Sequence, residues 1–572
     1  MLGRKSVLVG MAASVGFLVA KATQPSSVSD DTDTHVARWA PYTAYAVGQQ
    51  VISPKNDVVT AKFAHTSSAT FTSDAAKWTL SSTYGALTSV AVNVLDKGAV
   101  GDGVTNSTRA FLAALATGRP VYVPGKKSAV YLVDEISAGF TSNSVMFGDA
   151  TIKLRTVGPS GIIAKTAITS FRLDGLTFDA NSNAVTVLRL IDCTDFDLGT
   201  TTYLGGTIAG LDLQECVDFR ATTLTANDNG APGGQVGSGV YLREKAGGTG
   251  CKRFDIGSVR GSRNGLGPGL DGDTVHTSGS ACTGSIGRII ASDSTRYGAK
   301  FQHTGGFVQV GEIFATGCMH GVSFSASNGI AVGSIHCDNN SSIGIWVDAA
   351  AQNVHVGSAT VLNSGGQGVQ IYQGAADITF NDLFIRVTGT GGLNGSNSRG
   401  FDCRGVTRGK IGNLTVIDAG FGASNTSEAI FVTASDDLQL ANVTVSDTRS
   451  GAARVANPGD FSTSTNVSIA NFRASNCQAS RILGMSTLTL TNVSIDGKRA
   501  LGTGSAIIHS GQDSVVVSHN LILPPATTRV TGSSADTAQA YVPAVSATTF
   551  TIKVPAVVRA DRSVYWSAGI AQ

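Results

Sequence analysis

From residue 254 onward one short phrase keeps returning, apolar-x-apolar-Gly-x-apolar, and it limits what this chain can fold into more than any other feature. It reads FDIGSV around Gly257, GSIGRI around Gly287, VQVGEI around Gly311, IAVGSI around Gly333 and VHVGSA around Gly357. Asn381, Gly412, Ala441, Ala470 and Thr491 carry it on, at steps of 21 to 31 residues. A fixed period of this size is the mark of a solenoid, in which each unit buries its apolar face only against its neighbours. Each unit holds short segments of alternating apolar and polar residues joined by Gly, Asn and Ser, so the coils are built from strands. No helix-length amphipathic pattern intervenes, which disfavours α-solenoids and leucine-rich repeats. Similar coils begin earlier, at FRLDGLTF (171–178), FDLGTT (196–201) and FRATTL (219–224). The fold expected is all-β, a right-handed parallel β-helix over 88–500.

Composition agrees. Of 572 residues 69 are Gly, 42% are hydrophobic and 14% are charged. That is apolar enough for a core and too apolar for general disorder. The net charge of +2, with no dense Lys/Arg block, argues against nucleic acid as a partner. The eight cysteines form no CxxC pair and no zinc spacing, and they fall in strand-like segments, which suggests buried thiols.

The flanks differ from the repeats. Residues 1–36 hold Arg4 and Lys5, an uncharged run to Ala20, and then a polar linker. Two readings stay open for this segment: a secretory signal, or a helix that anchors the chain in a larger assembly. The apolar run is short for a membrane span, and no membrane span is expected elsewhere. Residues 37–82 concentrate aromatics (Trp39, Tyr42, Tyr45, Phe63, Phe71, Trp78) and suggest a small β module. Residues 501–572 lose the repeat and read as a separate C-terminal β segment.

Ahead of the coils stands GAVGDGVTNSTRAFLAALATGRPVYVPG (98–125). Ala110, Phe111, Ala114 and Leu115 give one apolar face, so a capping helix is expected near 106–117, with Thr105 or Asn106 at its N-cap. Asp102 reads as a turn residue. The wording G-A-x-G-D-G-x-T-N-x-T, then V-Y-V-P-G, closely resembles the opening motif of the pectate-lyase-like superfamily, which includes phage tailspikes, polygalacturonase-like hydrolases and polysaccharide lyases. The W-x-x-Y-x-x-Y-x-x-G module resembles those of chitin-binding domains and phage tail proteins. These resemblances imply a tailspike-like polysaccharide depolymerase, a glycosidase or a lyase. They imply a virion tail location, assembly as a homotrimer, and contact with other phage tail or baseplate proteins. A secreted bacterial polysaccharide lyase or hydrolase, and a non-catalytic glycan-binding adhesin, are the alternatives.

Coils aligned on Gly239, Gly272, Gly298, Gly321, Gly344 and Gly368 predict an outward strip, taking the second and fourth residues after each glycine. The strip is Tyr241/Arg243, Thr274/His276, Lys300/Gln302, Ser323/Ser325, Trp346/Asp348 and Gln370/Tyr372. Sugars stack on aromatic rings and bond to planar polar groups, so Tyr241, Arg243, His276, Lys300, Trp346 and Tyr372 are expected to bind substrate. The Gly-rich insertion 264–273 delivers Asp271 and Asp273 two residues apart. Extended, their carboxylates would be about 6.5–7 Å apart, within the roughly 6.5–9.5 Å of an inverting acid and base. Asp293 is the substitute partner, and Asp228 flanks the same spot. The D-x-D, then His, then R-x-x-x-K pattern faintly resembles the polygalacturonase-like layout, without its Gly-His-Gly element. A lyase would instead draw its base and its carboxylate neutraliser from Lys300, Arg243, His276 and Tyr241. No cofactor is expected. Zinc spacing is missing, and Ca²⁺ on Asp271 and Asp273 is the metal that a lyase would leave open.

Overall fold

The computed structural model describes residues 37–53, 58–82, 91–125, 128–158, 160–230, 237–265, 272–348, 350–372, 374–389, 398–420, 428–447, 457–477 and, with short gaps, 482–569. The described residues form two compact units, one before residue 90 and one after it.

The larger unit is a right-handed parallel β-helix of about 14 turns; across the chain strand makes up 60% and helix 5%. Strands pair in parallel from coil to coil. Ile256 lies opposite Ile286, Ile286 opposite Val310, Val310 opposite Val332 and Val332 opposite Val356. Alternation places every second side chain inside, as in Lys252–Ser262, where Phe254 and Ile256 are buried and, after the break in alternation at Gly257–Ser258, Val259 and Gly261. Like side chains then stack: Phe171 on Phe196 at 4.7 Å and Phe196 on Phe219 at 4.9 Å.

Two devices turn the chain. At one corner a residue in the left-handed region (Asp228, Arg263, Asp293, Gly317, Asn339, Asn363) precedes one that points inward. The inward asparagines bridge coils. Asn229 donates to Asn264 Oδ1 from its backbone and its side chain, at 3.2 and 3.1 Å, and Asn264 Nδ2 donates to the Ala226 carbonyl at 3.0 Å. At the next corner Gly298, Gly321, Gly344, Gly368 and Gly400 leave hollows. Ala315, Cys337, Val361, Ile385 and Val416, each 16 to 17 residues further along the chain, fill them.

The start of the helix is covered by a short α-helix, Thr108–Leu115, which buries Ala110, Phe111, Ala114 and Leu115. Its N-cap is Ser107, and Asn106 Oδ1 accepts from the Thr108 N–H at 3.0 Å. Asp102, expected in a turn, opens the short strand Asp102–Asn106 opposite Val130, and its Oδ1 accepts from the N–H groups of Val104 and Thr105. At the far end, residues 501–569 form two three-stranded antiparallel sheets. All eight cysteines are buried free thiols.

In the smaller unit Tyr45, Val51, Val59, Ala61 and Trp78 form the core, with Trp39 and Phe71 packed against it. Asp74 ties it together by accepting from Ser68 N and Oγ and pairing with Lys77 at 2.7 Å.

Candidate functional site

The coil register corrects one part of the sequence alignment. Tyr241 faces His276, and His276 faces Lys300, so the partner of Gly239 in the next coil is Thr274, not Gly272. Thr274 does not point outward. It is fully buried, and its hydroxyl meets Ser294 Oγ at 2.9 Å. A β-branched residue fits there because Gly261 vacates the space that the Thr274 methyl fills. The outer column therefore runs Tyr241, His276, Lys300, Ser323, Trp346, Gln370, Asp402, Phe431. Arg243, Ser278, Gln302, Ser325 and Asp348 flank it, two residues further along each strand.

A third column precedes the strip: Asp273 faces Tyr297, and Tyr297 faces His320. The chain bends at Gly298 and Gly321, so alternation counted forward from those glycines cannot reach the residue before them. A Tyr or His directly ahead of the strand glycine in successive coils was the signal available.

Asp273 is fully buried. Its Oδ2 lies 3.2 Å from His276 Nδ1, but without hydrogen-bond alignment. Among the described residues, both Asp273 oxygens and both His276 ring nitrogens are buried without a hydrogen-bond partner. Buried polar groups are ordinarily satisfied; this pair is one of several exceptions among the described residues, and it brings two ionisable side chains together. Tyr241 stacks on His276 at 4.5 Å.

Next to it, Lys300 Nζ lies 5.0 Å and Arg296 Cζ 5.2 Å from the Tyr297 ring centre. Burial lowers the Lys300 pKa, Asp273 opposes this, and Arg296 adds to it. Burial pushes the Tyr297 phenol up to about 12, against the pull of Arg296. His320 stacks on Tyr297 at 5.1 Å and meets Trp346 at 5.0 Å. Burial, helped by Arg296, lowers its pKa to about 4. The ring is neutral at pH 7, and its Nδ1 accepts from the Ile343 N–H at 3.3 Å. Trp346 Nε1 and Asp348 Oδ1 are also buried without partners.

The structure thus gathers Asp273, His276, Tyr241, Lys300, Trp346 and Asp348 on one strip with the Arg296 of the R-x-x-x-K pattern, and adds Tyr297 and His320. Arg243 lies at its upstream edge, forked onto Asp212 at 2.8 and 2.9 Å. Tyr372 is exposed further downstream. Asp293 occupies the left-handed corner at φ 53° and is exposed, with its carboxylate beside Gly317 of the following coil. Asp228 occupies the same corner and is paired with Arg263 at 2.7 Å. Asp271 lies outside the described residues, and so does the spacing of the expected carboxylate pair. Among the described residues no group of three or more His, Cys, Asp or Glu side chains is arranged to hold a metal ion.

No protein-family model and no curated protein matches the chain. Solved structures do align along the coils. The A-module of the Azotobacter vinelandii mannuronan C-5 epimerase AlgE6 is 16% identical, with a TM-score of 0.35, over 71% of this chain and 98% of its own. The tailspike protein gp49 of Pseudomonas phage LKA1 is 12% identical at a TM-score of 0.39, over 84% and 99%. PfbA, a surface adhesin of Streptococcus pneumoniae, is 12% identical at 0.34, over 68% and 91%. At these values the likeness transfers no activity and no residue role. The coils themselves are those of a parallel β-solenoid, consistent with the pectate-lyase-like fold.

Proposed function

We propose that the chain is a tailspike-like depolymerase that binds an acidic polysaccharide along the strip and cleaves it at the Asp273–Lys300 centre. One observation carries this reading: a buried carboxylate and imidazole without hydrogen-bond partners, beside a lysine of lowered pKa, on the outer face of a solenoid. Stability gains nothing from such a cluster, and perturbed groups gather where chemistry needs them.

Elimination suits the assembled groups better than hydrolysis. An inverting or retaining hydrolase needs two carboxylates at set spacing. Here Asp273 is joined by a base and by cations. In this reading Arg296 pairs with a uronate carboxylate and Lys300 takes the proton at C5. The C5–H pair becomes the C4=C5 double bond, the C4–O bond breaks, and the Tyr297 phenol protonates the leaving oxygen. Asp273, shielded from solvent, acts by position, 3.2 Å from His276 Nδ1, and through the field by which it opposes the lowering of the Lys300 pKa. Trp346 offers a ring to a neighbouring sugar.

A trimeric phage tail location belongs to the same proposal. It is supported by the aromatic N-terminal module, the G-D-G opening motif, and a C-terminal β segment that exposes Ile507, Val516, Tyr541, Val545 and Tyr565.

The test is incubation with polygalacturonate, alginate, hyaluronan and bacterial capsular polysaccharides, following both reducing ends and the ultraviolet absorbance of unsaturated uronates. Both signals should rise together on one substrate. Lys300→Met and Asp273→Asn should each lower turnover about 10²–10⁴-fold, as removal of acid–base groups does, with little change in binding. Reducing ends without absorbance would make the protein a hydrolase. Binding without either signal would make it an adhesin.

A further inference from the structure

Downstream of the centre the same outer face carries a second cluster that the cleavage reading leaves unused. Asp402, fully buried, lies opposite Gln370 and Phe431 in the outer column. Arg404 forks onto it through Nε and Nη2 at 2.7 and 2.6 Å. Arg399 reaches it through Nη1 at 3.3 Å and holds Glu428 through Nε and Nη2 at 3.1 and 3.0 Å. The Arg399 guanidinium sits 3.5 Å from the centre of the Phe431 ring. Arg404 lies 5.6 Å from Phe431 and 5.7 Å from Tyr372.

Two cations and two carboxylates cancel, so the cluster is not an anion trap. It is costly to build: Asp402 is wholly shielded, and the side chains of Arg399 and Glu428 are 10% and 14% exposed. Buried ion pairs of this kind seldom add net stability, and losing one partner is expensive. What they supply is rigidity. A guanidinium has five N–H donors in one plane, of which Asp402 takes those of Arg404 at Nε and Nη2. Arg404 is 29% exposed and Tyr372 is 41% exposed. The outer edge is therefore one flat ring beside one fixed planar donor, which is the chemistry that holds a sugar ring by its face and its hydroxyls.

We infer that Tyr372 and Arg404, held by Asp402, Arg399 and Phe431, form a distal sugar-binding platform that recognises ring and hydroxyls rather than carboxylate. The inference rests on the strip being a glycan groove. From Lys300 the column passes Ser323, Trp346 and Gln370 to Asp402. Four coils span about 19 Å. A sugar unit advances a chain by roughly one coil spacing, so the platform, with Tyr372 three coils along and Arg404 four, engages a unit about three to four places from the cleaved bond. The protein then needs a long chain and acts internally on it.

The experiment is calorimetric titration of full-length Asp273→Asn with galacturonate oligomers of about two and about six units, and with the uncharged cello-oligomer of about six units. The long galacturonate chain should bind at least about tenfold tighter than the short one, a gap of about 1.4 kcal/mol. Tyr372→Ala, at an exposed position, should erase that advantage and leave short-chain affinity unchanged. Arg404→Ala should do the same where it folds. The advantage should persist at high salt, which screens the cationic centre. Equal affinity for both galacturonate lengths, or no effect of Tyr372→Ala, overturns the platform while the cleavage reading stands. Long-chain preference without cleavage by the wild type overturns the cleavage reading and leaves the platform. Failure of all three probes to bind overturns the groove and the platform with it.

Discussion

His320 shows what burial does to one side chain. In the folded chain its pKa is about 4, against 6.5 for a free imidazole. Between those values the unfolded chain holds a proton that the folded chain does not, so stability rises with pH through that window. The native state should therefore lose about 3 kcal/mol as pH falls from 6.5 to 4. His320→Phe keeps a ring against Tyr297 and Trp346 but cannot titrate. The drop in melting temperature between pH 7 and pH 4.5 should shrink in that variant; an unchanged drop would place the sensitivity elsewhere. At this scale the sequence was only partly legible. His276, Lys300, Tyr241 and Trp346 could be read from strand alternation because they lie within regular strands, and Asp273 from the Gly-rich insertion that precedes its strand. Tyr297 and His320 could not, because alternation breaks at the bend just after them. Thr274 was turned outward in the alignment because Gly272 looked like the strand glycine. The coil register, and the packing of Thr274 into the space left by Gly261, reveal that a threonine holds the glycine place in that coil.

The coil is the element on which the architecture depends, and its corners set its tolerance. Gly344 has no left-handed φ to justify it. It is glycine because Val361 occupies the space of any larger side chain and the Gly368 carbonyl closes the other side. Overpacking a filled core costs about 1–3 kcal/mol and at times more. Gly344→Val should lower the urea midpoint accordingly, while a Val at exposed Gly511, where an added carbon meets nothing within 4 Å, should cost only its backbone strain. Equal effects at the two sites would refute the filled-hollow account. The coils themselves were readable because small residues at the corners recur with the period. The left-handed corner was not, because Asp, Arg, Asn and Gly all occupy it, so no single residue type marks it.

At the scale of the whole molecule the proposed trimer can be checked directly. Light scattering should give three times the chain mass for the full protein, and a chain ending near residue 510 should fall to a monomer. A monomeric full-length protein would remove the reason to prefer a tailspike role over a secreted enzyme. The all-β nature and the parallel β-solenoid were legible from periodicity alone. Subunit contacts leave no period in a sequence, and nothing in 501–572 announces one.

Parallel pairing by consecutive coils has a consequence for how the chain is made. Phe219 meets Phe254, and Val332 meets Val356. A strand's partner is one coil away in sequence, even in a chain of 572 residues. The loop closed at each step is short, and lengthening it adds little entropy cost. A ribosome delivering residues at roughly 5–20 per second would release one coil every few seconds. Each emerging coil meets a finished edge that already displays the hydrogen-bond pattern it must copy. The N-terminal helix Thr108–Leu115 is then the first closed surface of the solenoid, made before most of the coils exist, and synthesis itself sets the order of assembly.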